Sequence, residues 1–460
     1  MFNYFRVACV AICATCLCFG VAQESQTLTK SVADQLYSPR GRSDWMKYTV
    51  PPNWTYLNPP FPIYANPLGE FMADIHPEAM KPANYSSFPR FFVDPIAGAD
   101  SNAGIRRDAP FRSLTRALSI PGNKWVLCRP TLYDFTTGWR GAMPTGDVLI
   151  EPWDDSGPVI SSGQFINLSW TQIAPGTFRA RCSTYPDNVI DETTKDQWGN
   201  GRRYQKLSSV TAVTNTPGSY FVEGKYITVH PLSNQYPDQN LTVYSAQANG
   251  RYMANGHLFV RNFEFRGGSK PFASIATQPG QRVMFADCTF RYSLEGQDGF
   301  CMEGPGLTVT LRCKATGNFN DGFDYIYDRQ FMEVDNIGSG NGVSTTELDN
   351  GTTCHHGCHG IVVNGLYADN KGRNVHNVYD SKVLMIGSQL GFSRGAGAAN
   401  ADLVSGAEAE DDTEIWAIQL KFLGGSTYAR STNGTARIWS RRHDATAPDI
   451  EALTGSIRPI

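Results

Sequence analysis

The sequence predicts an all-β chain wound as a solenoid of short parallel strands, and three observations carry that prediction. The first is a repeat. Asp298-Gly299-Phe300 recurs as Asp321-Gly322-Phe323, and Cys288 is echoed by Cys313, so units of 23 to 25 residues follow one another between Val283 and Gly342. The second is alternation within each unit. Val283, Phe285, Cys288 and Phe290, then Val309, Leu311 and Cys313, place a small or apolar group at about every second residue, the period of one strand face. The third is length with composition: 460 residues exceed one ordinary compact core, and 44 Gly with 27 Pro suit a chain that turns often. Strands this short cannot bury themselves, so each coil needs its neighbours.

With the alternating apolar groups pointing inward, Asp287, Thr289, Arg312 and Lys314 lie outside. Equivalent outward residues of successive coils then form ladders about 4.8 Å apart, and a long polymer can lie across such ladders.

Composition narrows the class. A net charge of −3, a pI of about 6.3 and no basic run exclude nucleic acid as a partner. At the start, MFNYFR precedes an apolar run from Val7 to Val21, with Gly20 and Ala22 ahead of Gln23. Residues 1–22 therefore read as a signal peptide, and the protein as secreted or periplasmic. A membrane anchor competes with that reading, but the run is shorter than the ~20 residues a span needs, and no later stretch is long enough. A monomer is expected. Of the 11 Cys, Cys9, Cys13, Cys16 and Cys18 leave with the leader. Cys128, Cys182, Cys288, Cys301 and Cys313 read as core residues. Cys354 and Cys358 sit in a polar stretch and are expected to form a local disulfide.

The elements follow in order. Residues 23–90, rich in Pro and aromatics (PPNWTYLNPPFPIY), read as an extended arm along the body. Residues 91–164 begin with a strand, a Gly/Asp/Asn turn and a short helix started by Pro110, with Phe111, Leu114 and Leu118 on one side. Such a helix would cap the open end of a solenoid, whose first coil otherwise exposes apolar core and strand edges. Residues 165–245 lose the period and show hairpin-like alternation, so a small inserted β domain is expected there. Residues 246–460 resume the coils, with a long polar loop expected at 343–359.

The pattern Val93-Asp94-Pro95, Gly98, Asp100-Ser101-Asn102, Gly104, Pro110-Phe111, Leu114 and Ala117 resembles the entry motif of secreted right-handed parallel β-helix proteins related to pectate lyases. The following WVLCRPTLYD and VLIEPWDDSGPVISSG resemble their first two coils. Pro217 to Phe221, followed by Tyr226 to Val229, is similar to the small β domain inserted in several β-helix glycosidases. The resemblance implies a right-handed parallel β-helix with an N-terminal cap helix and an inserted small β domain. It also implies a carbohydrate context, and it carries over no catalytic residue.

Three groups of residues are candidates for chemistry. Asp298 and Asp321 occupy the same place in successive coils, with Asp324 close by. Carboxylates that near one another suit proton sharing in a glycosidase, or a Ca²⁺ held by Asp298 and Asp321 that neutralises a uronate; Asp before Gly also simply forms turns. The second group is Cys354-His355-His356-Gly357-Cys358-His359. Its thiols and imidazoles suit Zn²⁺, or a disulfide that presents His355 as a proton acceptor with His356 and His359 beside the substrate. The stretch NGTTCHHG resembles an Asn-Gly-Ser/Thr…His-Asp-Gly stretch of other β-helix proteins, with His355 at that His and His356 where they have Asp. The third is Asp369 to His376, where Lys371, Arg373 and His376 supply a base and cations for β-elimination, or a solvated turn.

Together these predict a secreted enzyme that cleaves a polysaccharide, by elimination or hydrolysis, in a groove along the coils. Asp298, Asp321, Asp324 and His355 are expected at its centre, with Ca²⁺ as the cofactor the acidic pair would hold. The alternative is a carbohydrate-binding or adhesive solenoid without catalysis.

Overall fold

Three parallel sheets run side by side along the chain. Sheet 1 has nine strands, from Gly250–Tyr252 to Ile450–Ala452; sheet 2 has twelve, from Arg90–Val93 to Ser456–Pro459; sheet 3 has nine, from Leu132–Tyr133 to Lys421–Phe422. The structure, a computed structural model, describes residues 44–459 apart from 142, 253–255, 277, 343–348, 395–401, 407–411, 425–428, 432–435, 442–449 and 453–455. The expected leader at 1–22 and the first part of the arm lie outside the described residues. Among those residues, no helix is long and apolar enough to cross a membrane.

Each coil visits sheet 2, sheet 3 and sheet 1 in turn, as in Arg282–Ala286, Thr289–Arg291 and Phe300–Glu303, and Gly306–Leu311 then begins the next coil. Neighbouring coils pair in parallel, with Phe300 opposite Phe323 and Phe285 opposite Thr310. This is the all-β parallel β-helix that the repeat predicts.

The corners follow from residue type. Between sheets 2 and 3 a single left-handed residue turns the chain, and it is Asn262, Asp287, Asp335 or Asn364 in four coils, with φ between 52 and 57°. Asn and Asp enter that region more readily than other L residues. Between sheets 3 and 1, Asn318 donates to Asn341 Oδ1 at 3.0 Å, and Asn341 to Asn370 Oδ1 at 3.1 Å. The same three amides donate to the carbonyls of Phe290, Ala315 and Gly338. This buried ladder satisfies its own polar groups and fixes the turn from which the site residues project.

Inside, Phe272, Phe300 and Phe323 lie one above another, with ring centroids 6.1 and 5.7 Å apart. At the start of the helix, Leu114–Leu118 packs Leu114, Ala117 and Leu118 against the first strands, and the Ser113 side chain accepts from the backbone N–H of Arg116. Between Gln164 and Ser245 the chain forms two sheets of four and five strands, antiparallel except where Gln205–Lys206 pairs in parallel with Ser219–Glu223, around their own apolar cluster, which includes Phe178, Val189 and Ile227. Arm residues Trp54, Ile63, Phe71 and Met80 pack on the outer face of sheet 2.

Three expectations are corrected. Val309 and Leu311 do not face the interior; they lie on the outer face of sheet 2 under the arm, while Thr308 and Thr310 of the same strand are fully buried. A strand covered on both sides has no exposed face, so apolar residues alone do not mark which side is inward. The loop expected at 343–359 is shorter, because Thr352–His355 and His359–Val363 are strands of sheets 1 and 2; residues 343–348 lie outside the described residues. Cys354 and Cys358 form no disulfide, and both are buried free thiols. Cys354 sits opposite the buried Tyr325, while the Cys358 sulfur turns to the His355 carbonyl at 3.1 Å.

Candidate active site

The outer face of sheet 1 gathers the chemistry. Parallel pairing sets Phe272, Phe300, Phe323, Thr352 and Val375 in register. The next residue of each strand points the other way, giving the row Ala273, Cys301, Asp324, Thr353 and His376. Two residues before each strand, at the end of the turn from sheet 3, a second row reads Lys270, Asp298, Asp321, Asn350 and Arg373. Backbone bonds from Gly299 N to Asp321 O and from Gly322 N to Asn350 O, at 2.8 and 2.9 Å, hold that row in step.

The side chains bond across the rows. Asp298 accepts from Lys270 Nζ at 2.9 Å and from Asn320 Nδ2 at 2.7 Å. Lys270 also lies 3.0 Å from Cys301 Sγ, and that thiol donates to Asp324 Oδ2 at 3.5 Å. The other Asp324 oxygen meets His355 Nε2 at 2.8 Å, and His355 Nδ1 meets His356 Nδ1 at 2.8 Å. Asp321 accepts from the Asn350 backbone N–H and side-chain amide at 2.7 and 3.0 Å. Arg373 Nη1 donates to His376 Nδ1 at 3.2 Å. A cavity of about 390 Å³ is lined by Asp298, Asp321, Asp324, His355, Arg373 and His376, with Tyr379 at its side.

Burial sets the protonation. Asp298, Asp321 and Asp324 are 6, 7 and 3 % exposed. Burial, and then the negative charge of Asp324, push the Asp298 carboxyl up to about 6 despite Lys270. Burial, and then Asp298 and Asp324, push the Asp321 carboxyl well above its ordinary value. Burial opposes charging His355, but its hydrogen bond to Asp324 and that carboxylate's charge hold it above the ordinary imidazole value. Burial and then Arg373 hold His376 well below that value, so it is neutral. Its Nδ1 accepts from Arg373, which leaves the proton on Nε2 as a donor.

Asp298, Asp321, Asp324, His355, Arg373 and His376 thus converge on one cavity, and His356 adjoins it. Two predicted residues lie elsewhere. His359 is on sheet 2, where its ring lies 5.3 Å from that of Tyr56 in the arm. Lys371 sits in the turn beside Gly342 and does not line the cavity. The zinc reading of residues 354–359 is not met either, because the two thiols turn into the core and His359 belongs to a different sheet from His355.

Lys270, Asn320, Asn350 and Thr353 carry no chemistry in the sequence reading, and Cys301, expected in the core, instead meets Lys270 and Asp324 at the site. Aligning SKPF under QDGF and NDGF places Lys270 above Asp298, and that alignment is available from sequence alone. The only metal-type group among the described residues is Asp298, Cys301 and Asp324, with donor atoms within 4.8 Å of one another. Calcium prefers oxygen donors, and the Lys270 ammonium already bonds Asp298 and Cys301, so this donor set suits calcium poorly.

No protein-family model matches the chain, and no curated protein matches it in sequence. Among solved structures, XylC in complex with xylose is similar at 9 % identity and a TM-score of 0.48, over 81 % of this chain and 70 % of that one. The pectate lyase Pel9A is similar at 13 % identity and a TM-score of 0.41, over 79 and 82 %. A GH136 lacto-N-biosidase from Eubacterium ramulus is similar at 11 % identity and a TM-score of 0.30, over 81 and 68 %.

Proposed function

We propose that this protein hydrolyses glycosidic bonds of a polysaccharide lying across sheet 1. The observation that carries the reading is the environment of its three carboxyl groups. Asp298 and Asp321 are pushed toward the protonated form, while Asp324 faces the imidazole whose charge it favours. Separated proton affinities within one site are what acid and base roles require. The Asp298–Asp321 pair donates a proton to the glycosidic oxygen as its bond to the anomeric carbon breaks. Asp324 acts on the opposite side of that carbon, taking the proton of the attacking water or first bonding the sugar itself. His355 fixes and charge-balances Asp324, and Arg373 donates to sugar hydroxyls.

Hydrolysis is favoured over elimination by charge. Elimination needs cations around a uronate carboxylate, whereas Lys270 is bound to Asp298, and Arg373 shares the cavity with three carboxyl groups that would repel a uronate. Export through the leader at residues 1–22 would bring the groove to extracellular polysaccharide.

The test incubates the purified protein with neutral and acidic polysaccharides, measuring new reducing ends and unsaturated uronates together. Reducing ends without unsaturation are expected, and Asp321→Asn and Asp324→Asn should abolish them. Unsaturated products would establish elimination instead. No product from any polymer would leave a binding protein.

A further inference from the structure

Where the chain leaves sheet 1 for sheet 2, three successive coils carry an aromatic ring. Tyr327 follows Phe323–Ile326, His356 follows Thr352–His355, and Tyr379 comes two residues after Val375–Asn377. The rings line up along the solenoid: the Tyr327 and His356 centroids are 4.9 Å apart, and those of His356 and Tyr379 are 4.7 Å apart with planes 25° from parallel. The stack adjoins the carboxyl groups, since Tyr379 lines their cavity and His356 bonds to His355.

The backbone under these rings is strained. Tyr327, His356 and Tyr379 have φ of 59, 59 and 50°, and each is followed by another residue with positive φ, namely Asp328, Gly357 and Asp380. The corner between sheets 2 and 3 meets a similar demand mainly with Asn and Asp, which tolerate it. A tyrosine gains nothing from that conformation, so its presence in two coils points to a use for the ring. Tyr327 is 53 % exposed. Glu303 pairs with Ile326, so the residue at Tyr327's place in the preceding coil is Gly304, and that position offers no side chain to cover the ring.

We infer that Tyr327, backed by His356 and Tyr379, is a stacking subsite for a neutral pyranose unit of the bound polymer, extending the groove past the carboxyl groups toward Gly304. A flat ring with a polar tip suits the C–H face of a sugar and its hydroxyl edge. Neutrality follows from charge, because Asp328 adjoins Tyr327 in the chain and Glu303 lies one coil back, opposite Ile326. The substrate class rests on the hydrolase reading, whereas the subsite is tested by binding.

The experiment uses full-length Asp324→Asn protein as an uncleaving background, in electrophoresis through gels containing xylan, a soluble β-glucan or polygalacturonate. Xylan or β-glucan should retard the background protein, and Y327A should weaken that retardation about tenfold. Y327G should weaken it equally while melting no lower than the background, since glycine relieves the positive φ. The subsite is overturned by unchanged retardation in both variants, by retardation with polygalacturonate alone, or by none with any polymer. Failure of the two readings is distinguishable. Hydrolysis with KM unchanged by Y327A removes the subsite alone, while retardation without hydrolysis by the parent protein removes the hydrolase alone.

Discussion

The outer faces of sheets 1 and 2 belong to the same coils and share one period, yet one is sealed and the other is open. On sheet 2 a single row runs through Phe259, Met284, Val309, Met332, Ile361, Leu384 and Trp416, and the arm covers it. On sheet 1 the corresponding outward row is Ala273, Cys301, Asp324, Thr353 and His376. A solenoid turns each strand position into a row, so residue type at one position decides the fate of a whole face. Burying each large apolar side chain contributes roughly 1.5–3 kcal/mol, which holds the arm on sheet 2. The polar rows of sheet 1 offer no such gain, so Asp298 and Asp321 stay buried beside an open groove, and burial raises both carboxyls.

The contrast should separate activity from stability. The largest effect is expected from Asp324→Asn: a loss of about 10²–10⁴-fold in kcat with melting close to the parent's, read by reducing-end assay and calorimetry. Trp416→Ala should do the reverse, lowering unfolding stability by about 3–5 kcal/mol in denaturant titration while kcat per folded molecule is retained. Equal damage to both properties in either variant would show that the two faces are not independent.

A smaller effect should appear with pH. The Asp298 carboxyl is raised from 3.8 to about 6 in the folded protein, so between those values the folded state binds more proton than the unfolded chain. Its contribution to stability is therefore complete below about pH 4 and is lost as pH rises through about 6, with a slope of at most ~1.4 kcal/mol per pH unit. His355, also raised, acts in the same direction above its ordinary 6.5. Asp298→Asn should flatten the lower part of that dependence in melts between pH 4 and 7. No change at all is the expectation for excess EDTA, in either melting or hydrolysis, because Lys270 supplies the cation at Asp298.

Much of the sheet 1 face was legible because Asp298 and Asp321 mark their coils with the same Asp-Gly-Phe. Lys270 escaped notice because its coil has Lys-Pro-Phe instead, so the repeat is visible only as a spacing from Phe272. His355 came to light for its place in a histidine-rich stretch, although what brings it to Asp324 is a strand where a loop was expected. The sheet 2 face was harder. Val309 and Leu311 alternate as an inward face would, and only the arm's aromatic residues, far away in sequence, reveal that apolar groups are needed outside as well. The Cys354–Cys358 expectation failed for a related reason, since sequence proximity does not show which way a thiol points along a strand.

Cleavage in water enriched in heavy oxygen tests the central claim most directly, with products analysed by mass. Hydrolysis at Asp298, Asp321 and Asp324 predicts one heavy oxygen in each new reducing end, and from Asp324→Asn such ends about 10²–10⁴-fold more slowly. Fragments that form without solvent oxygen, or that form in the variant at the parent's rate, would contradict it.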